Sequence, residues 1–230
     1  DIARRSISRL LPAVQRDIAA RHGSLEQAEM AVIGMGKLGS GEMSLQSDLD
    51  LVIVCDSSDF AETSDGEKPL AGDVWMARAA RRLISGLTVT TQEGSLYNVD
   101  MRLRPSGNAG PLVTKMSSFT TYQQNDAWTW EHMALTQASV IAGSPDLVAR
   151  LNAVMADVIC RQRNKSVLAD DVEAMRQRLF EHQKIRGPLD VKNGSGGLID
   201  IEFMIQALVL AHAADCPAIA TPRGLAETLE

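Results

Sequence analysis

The sequence predicts an α+β fold, a small sheet with helices followed by an α-helical segment, and three observations predict it. Residues 30–35 and 49–54 read as β-branched strands joined by the glycine-rich connection Gly34-Met35-Gly36-Lys37-Leu38-Gly39-Ser40-Gly41. Apolar residues at helical spacing flank this pair on both sides. Beyond Pro111 the pattern is helical almost throughout.

Taken in order, Ile7, Leu10, Leu11, Val14 and Ile18 share one helical face, and Gly23 stands where a C-terminal cap falls. The polar, acidic stretch 56–68 reads as a solvated surface loop. Trp75, Met76, Ala79, Leu83 and Ile84 then mark a helix that ends at Gly86. Residues 87–91 and 96–103 read as two further strands, with Gln92-Glu93-Gly94-Ser95 as their hairpin turn. A Gly-rich loop follows Pro105, and helices are expected near 118–125, 145–160, 168–184 and 198–214. The expected division is a leading helix at 1–25, a catalytic core at 26–116 and a helical region at 117–230. Residues 225–230 read as a helix cut partway, so the expectation is a piece of a longer polypeptide.

At 230 residues, with 45% hydrophobic and 23% charged, the composition is that of a soluble globular chain. No apolar run approaches the roughly 20 residues that span a bilayer, and no secretory leader pattern opens the chain. A cytoplasmic location with no membrane partner is therefore expected. The net charge of −6 argues against a broad nucleic-acid footprint while leaving room for a local triphosphate site. Cys55, Cys160 and Cys216 lack metal-site spacing and read as reduced packing residues.

Two carboxylates, Asp48 and Asp50, stand two apart at the start of a strand and so project from one face. Like charges held together call for a shared cation or proton. A hard divalent cation meets that need, since Mg²⁺ takes carboxylate oxygens together with waters and substrate phosphates. Asp100, Arg102 and Arg104 alternate on the later strand, so they are expected on one face. If that strand lies beside the one carrying Asp50, three carboxylates meet two guanidinium groups. Such a site suits in-line displacement at phosphorus, with Asp48 and Asp50 as metal ligands and Asp100 as base for the attacking hydroxyl or as a ligand of the metal that acidifies it. Arg102 and Arg104 match phosphate oxygens. In the glycine turn, backbone N–H groups at Gly39 and Ser40, with Lys37 as a point charge, are candidates for binding polyphosphate, or the glycines serve the turn alone.

The order of glycine turn, DxD strand and third-Asp strand resembles the DNA polymerase β-type nucleotidyltransferases. More specifically, Gly36-Lys37-Leu38-Gly39, Ser47-Asp48-Leu49-Asp50-Leu51 and Val99-Asp100-Met101-Arg102-Leu103-Arg104-Pro105-Ser106-Gly107 resemble the glutamine synthetase adenylyltransferase family. Tyr122-Gln123-Gln124-Asn125-Asp126-Ala127-Trp128-Thr129-Trp130-Glu131-His132 and the segment from Asp190 to Phe203 are similar to its carboxyl-terminal, adenylylating half. The resemblance implies a polymerase β-like sheet, Mg²⁺ with Mn²⁺ as a substitute, and ATP as AMP donor. It also implies a tyrosine of glutamine synthetase as acceptor, in the control of nitrogen assimilation, and a PII signal protein acting through the full-length enzyme. The homologous deadenylylating half, which uses phosphate as attacking group, and a nucleotide-sensing module without turnover are the alternatives.

Two departures stand out. Gly39-Ser40 replaces the family's usual Gly-Gly, and Thr136-Gln137-Ala138-Ser139 stands where the family often carries two arginines. Trp128 and Trp130 are expected to pack under the active site, with adenine stacking as the other reading. His132 reads as a hydrogen-bonded structural histidine. The Gly-Ser-Gly-Gly loop among Asp190, Lys192, Asp200 and Glu202 reads as a phosphate-facing or interdomain element.

Overall fold

The computed structural model describes residues 2–26, 28–57, 63–182, 187 and 190–228. In chain order the elements are α1 (Ile2–His22), β1 (Glu29–Gly34), α2 (Gly36–Ser40), β2 (Leu49–Asp56), α3 (Gly72–Thr88), β3 (Thr90–Thr91), β4 (Gly94–Ser95) and β5 (Val99–Asp100). They continue as β6 (Thr114–Lys115), α4 (Met116–Thr121), α5 (Thr129–Leu135), β7 (Ser139–Ala142), α6 (Pro145–Ile159), α7 (Lys165–His182), α8 (Leu198–His212) and α9 (Leu225–Thr228). The expected α+β class is the observed one.

The central sheet has the order β5-β2-β1-β7, with β6 sharing the edge of β2 that β5 uses. β1 and β2 pair antiparallel from Glu29↔Asp56 to Gly34↔Leu51. β5 and β6 both run parallel to β2, β5 at its start and β6 at its end. The chain between them, 101–113, leaves the sheet as a loop.

Alternation along β1 and β2 divides the interior into two layers. Met30, Val32, Leu49, Leu51 and Ile53 meet Ile7, Leu11 and Val14 of α1 and Trp75, Met76, Ala79 and Leu83 of α3. Ala31, Ile33, Val52 and Val54 meet Phe119, Met133, Leu147, Leu151 and Leu210 on the other face. Strands buried on both faces read as unbroken apolar runs, as Val32-Ile33 and Val52-Ile53-Val54 do. Each fully buried Leu or Ile here contributes roughly 1.5–3 kcal/mol.

α1 ends as expected. Gly23 has a φ of 83° and donates its amide to Ala19 O at 2.8 Å. Its carbonyl accepts the indole N–H of Trp75 at 3.0 Å, tying the helix end to α3.

Several strand expectations are corrected. α3 runs on through Leu87 and Thr88, leaving only Thr90–Thr91 and Gly94–Ser95 for the hairpin. The expected strand 96–103 shrinks to Val99–Asp100. The reason is local: the backbone N–H of Arg102 donates to the Asp100 carboxylate at 2.8 Å instead of to a neighbouring strand. Arg102 and Arg104 therefore do not share a strand face. α2, α5, β6 and β7 are additions to the sequence reading, β7 pairing antiparallel with β1. The expected helix 118–125 is α4 continuing into a π-helical turn over Tyr122–Asp126. Residues 58–62 of the acidic loop and residues 183–184 of the third expected helix lie outside the described residues.

Candidate active site

The site forms where β2 begins. Asp50, Val52 and Val54 share one face of the strand; the valines are buried while Asp50 sits half-buried at the sheet's end, with Asp48 exposed just before it. β5 pairs with β2 in the register Asp50↔Asp100, which sets the third carboxylate beside the pair. The adjacency on which the three-aspartate reading depended is thus present.

Burial and neighbouring negative charge both act on Asp50. Burial, then the charges of Asp100 and Asp48, push its carboxyl up to about 6, with Arg102 acting the other way. Asp100 behaves oppositely: the hydrogen bonds of Arg102 hold it below the usual carboxylate range. Arg102 Nε donates to Asp100 Oδ2 at 2.7 Å, and Nη2 lies 2.5 Å from the same oxygen. Among the described residues, no three His, Cys, Asp or Glu side chains close around a point as a metal cage. Asp48, Asp50 and Asp100 instead give an open, oxygen-only set whose surplus charge falls on half-buried Asp50. Such a donor set fits a hard cation that keeps water and phosphate in its shell.

Arg104 is turned away from that role. Its guanidinium donates to Met101 O at 2.6 Å, Pro111 O at 3.1 Å and Gly110 O at 3.4 Å, clamping the loop that leaves β5. Lys37 is exposed on α2, and Ser40 Oγ donates to Glu42 Oε2 at 3.1 Å. Gly39 is buried and packed: a Cβ there would lie 2.0 Å from Gln137 O and 2.4 Å from Gly34 O. Its amide donates to Met35 O at 3.2 Å. The glycine that faces the carboxylates is Gly36, with a φ of 50° and Asp50 Oδ2 3.4 Å from where its Cβ would stand.

Other contacts were missed in the sequence because they join distant residues. Arg4 of α1 donates to Leu38 O at 3.0 Å and to Ser139 Oγ at 2.8 Å, fixing α2 against the sheet. Buried Glu131 accepts from Tyr122 Oη at 2.8 Å and from the Trp128 amide at 3.0 Å. His132 is structural as expected: Nε2 lies 2.9 Å from Gln123 O, and burial lowers its affinity for a proton. In the glycine loop before α8, Asp200 is held by Arg176 at 2.6 Å and by the Gly196 amide at 2.7 Å. Burial raises the carboxyl of Glu202 on α8, with the charges of Lys37 and Lys192 opposing. The tryptophans depart from the packing expectation: Trp128 is 67% exposed and Trp130 39%.

A short mixed sheet sets paired aspartates beside a third on the adjacent strand, the arrangement on which the resemblance to polymerase β-type nucleotidyltransferases rests. The match to known proteins is narrower. Residues 3–154 match the family model described as glutamate-ammonia ligase adenylyltransferase, and the chain belongs to that family. It is 46% identical over 211 residues to the bifunctional glutamine synthetase adenylyltransferase/adenylyl-removing enzyme of Brucella suis, covering 92% of this chain and 22% of the relative. The proteins of the same description from Bradyrhizobium sp. and Xanthobacter autotrophicus are 44% and 45% identical, over 95% and 94% of this chain and 22% and 23% of theirs. The chain thus spans about a fifth of the length of these curated relatives. Residues 167–230 also match a family model described as GlnD PII-uridylyltransferase. Among the described residues no helix is long and apolar enough to cross a membrane.

Proposed function

We propose that this chain transfers AMP from ATP to a tyrosine hydroxyl of glutamine synthetase. The observation that carries the reading is the Asp50↔Asp100 register, which brings a third carboxylate beside Asp48 and Asp50 and leaves Asp50 in need of a counter-charge. Asp48, Asp50 and Asp100 would hold Mg²⁺, or Mn²⁺ in its place. The chemistry a divalent cation supplies here, when bound, is neutralisation of polyphosphate charge and acidification of the hydroxyl.

The rest falls to the chain's own groups. The tyrosine oxygen bonds to the α-phosphorus, the bond from that phosphorus to the bridging oxygen breaks, and pyrophosphate leaves. Asp100 aligns the hydroxyl and takes its proton. Its low proton affinity suits a loose transition state, in which the attacking oxygen needs little deprotonation before the leaving group departs. Arg102, exposed beside Asp100, is the guanidinium offered to phosphate oxygens, with Lys37 and Ser40 of the glycine turn on the same proposed side; Arg104 and Gly39 act indirectly, Arg104 by clamping the loop after β5 and Gly39 by letting α2 pack closely. ATP as substrate agrees with a cytoplasmic setting, and control by a PII signal protein would act through the full-length enzyme.

Incubating the chain with glutamine synthetase and ATP labelled at the α-phosphate tests the reading. Label on the synthetase is expected. Release of label from pre-adenylylated synthetase on adding phosphate, with no transfer from ATP, would assign the chain to the opposite reaction.

A further inference from the structure

The exposed indole of Trp130 is the feature the proposed chemistry leaves unused. It belongs to a short, well-anchored helix: Glu131 caps α5 through the Trp128 amide and holds Tyr122, and His132 is bound to Gln123 O. Met133 and Leu135 of the same helix are buried, so its orientation is set by the core. Within that fixed frame Trp130 packs one side on the core and keeps 39% of its surface open.

Three neighbours locate the ring. Trp130 lines one small void with Met35, Val52 and Leu103. The Met35 amide donates to Asp50 O at 2.9 Å. Val52 follows Asp50 on the same strand face, about 7 Å further along. Leu103 follows Arg102, the guanidinium that binds Asp100. Trp130 thus shares a void with Val52, which stands one strand repeat from Asp50 on the same face, and that repeat is on the scale of the ribose that joins phosphate to base.

We propose that Trp130 is the stacking platform for the purine base of the nucleotide, acting as a binding residue at the site where Asp48 and Asp50 engage its phosphates. The inference rests on the adenylyl-transfer reading. A purine is planar, apolar on its faces and polar at its edge, so an indole face takes it without needing a matched donor set. Trp128, which is more exposed but does not line that void, has no such part.

The test compares ATP with tripolyphosphate, which offers the same phosphates and no base, by titration calorimetry in Mg²⁺. Wild type is expected to bind ATP more tightly. Trp130→Leu, which keeps apolar volume but removes the aromatic face, is expected to lose about 5- to 150-fold in ATP affinity, the range of base–aromatic stacking, with tripolyphosphate unchanged. Trp130→Phe should keep most of the ATP affinity. Fluorescence reads the wild-type fold directly: in Trp128→Phe, whose other indole at Trp75 is buried, ATP should quench emission and tripolyphosphate should not. Equal losses for both ligands in Trp130→Leu, or equal quenching by both, would overturn the stacking. Equal wild-type affinity for the two ligands would remove the stacking and leave the adenylyl-transfer reading standing; binding of neither would remove both.

Discussion

The two ends of β2 each gather three acids, and they treat them in opposite ways. At the end of the strand, Glu29 and Asp56 face each other across β1 and β2, and Asp146 joins them from α6. Arg150 binds all three: Nη2 reaches Glu29 Oε2 at 2.7 Å, Nε reaches Asp146 Oδ2 at 2.8 Å, and Nη1 pairs with Asp56. At the start, Asp100 stands in register with Asp50 and Asp48 lies just before it, Arg102 pairs with Asp100, and Asp50 is pushed up to about 6. One cluster carries its own counter-ion in the fold. The other has no such full complement, and on the proposed function its charge is left for a bound cation.

Asp50→Asn is the strongest way to break that contrast. It should lower adenylyl transfer by at least about 10²–10³-fold, the scale of losing one transition-state charge partner. Removing a half-buried charge crowded by two others should leave Tm unchanged or raised, so a lowered Tm by calorimetry would count against the open-cluster account. Gly39→Ala tests what holds α2 in place: a methyl within 2.4 Å of two backbone carbonyls should cost about 1–3 kcal/mol by urea unfolding. Near-wild-type stability with lost nucleotide binding would instead favour a phosphate role for that glycine.

Arg150→Ala sharpens the other side. It leaves Glu29, Asp56 and Asp146 facing one another, and because the group is 40% exposed the expected loss is modest, about 1 kcal/mol. Transfer activity per folded molecule should stay at the wild-type level. The smallest effect lies between the ends, at His132, whose proton affinity is lowered by burial from the ordinary 6.5. The unfolded chain then binds the proton first, so stability is full above about pH 6.5 and declines as pH falls toward the folded value. Tm measured from pH 8 to 5 should show that decline, and His132→Gln should flatten it.

What could be read beforehand follows the range of the interactions. The β-branched runs of β1 and β2 and the helical spacing in α1, α3, α6 and α8 are local patterns, and they formed as expected. Asp50 needed only strand alternation, whereas Asp48, expected on the same strand face, stands just before β2 begins and outside that alternation. Asp100 needed tertiary pairing, and its strand was overdrawn because the Arg102 amide turns to a side chain after two residues. β7 is four residues long, too short for alternation to announce it, and its place is set by pairing with β1 a hundred residues away. Arg4 and Arg150 serve partners as far as 135 and 121 residues distant, so no spacing rule points to them.

The contrast between the two acid clusters can be tested in one crystal of the chain grown with a non-hydrolysable ATP analogue and Mn²⁺. The account predicts an anomalous peak beside Asp48 and Asp50, within reach of Asp100 and the analogue's phosphates. No peak there at saturating Mn²⁺, or a peak only among Glu29, Asp56 and Asp146, would contradict it.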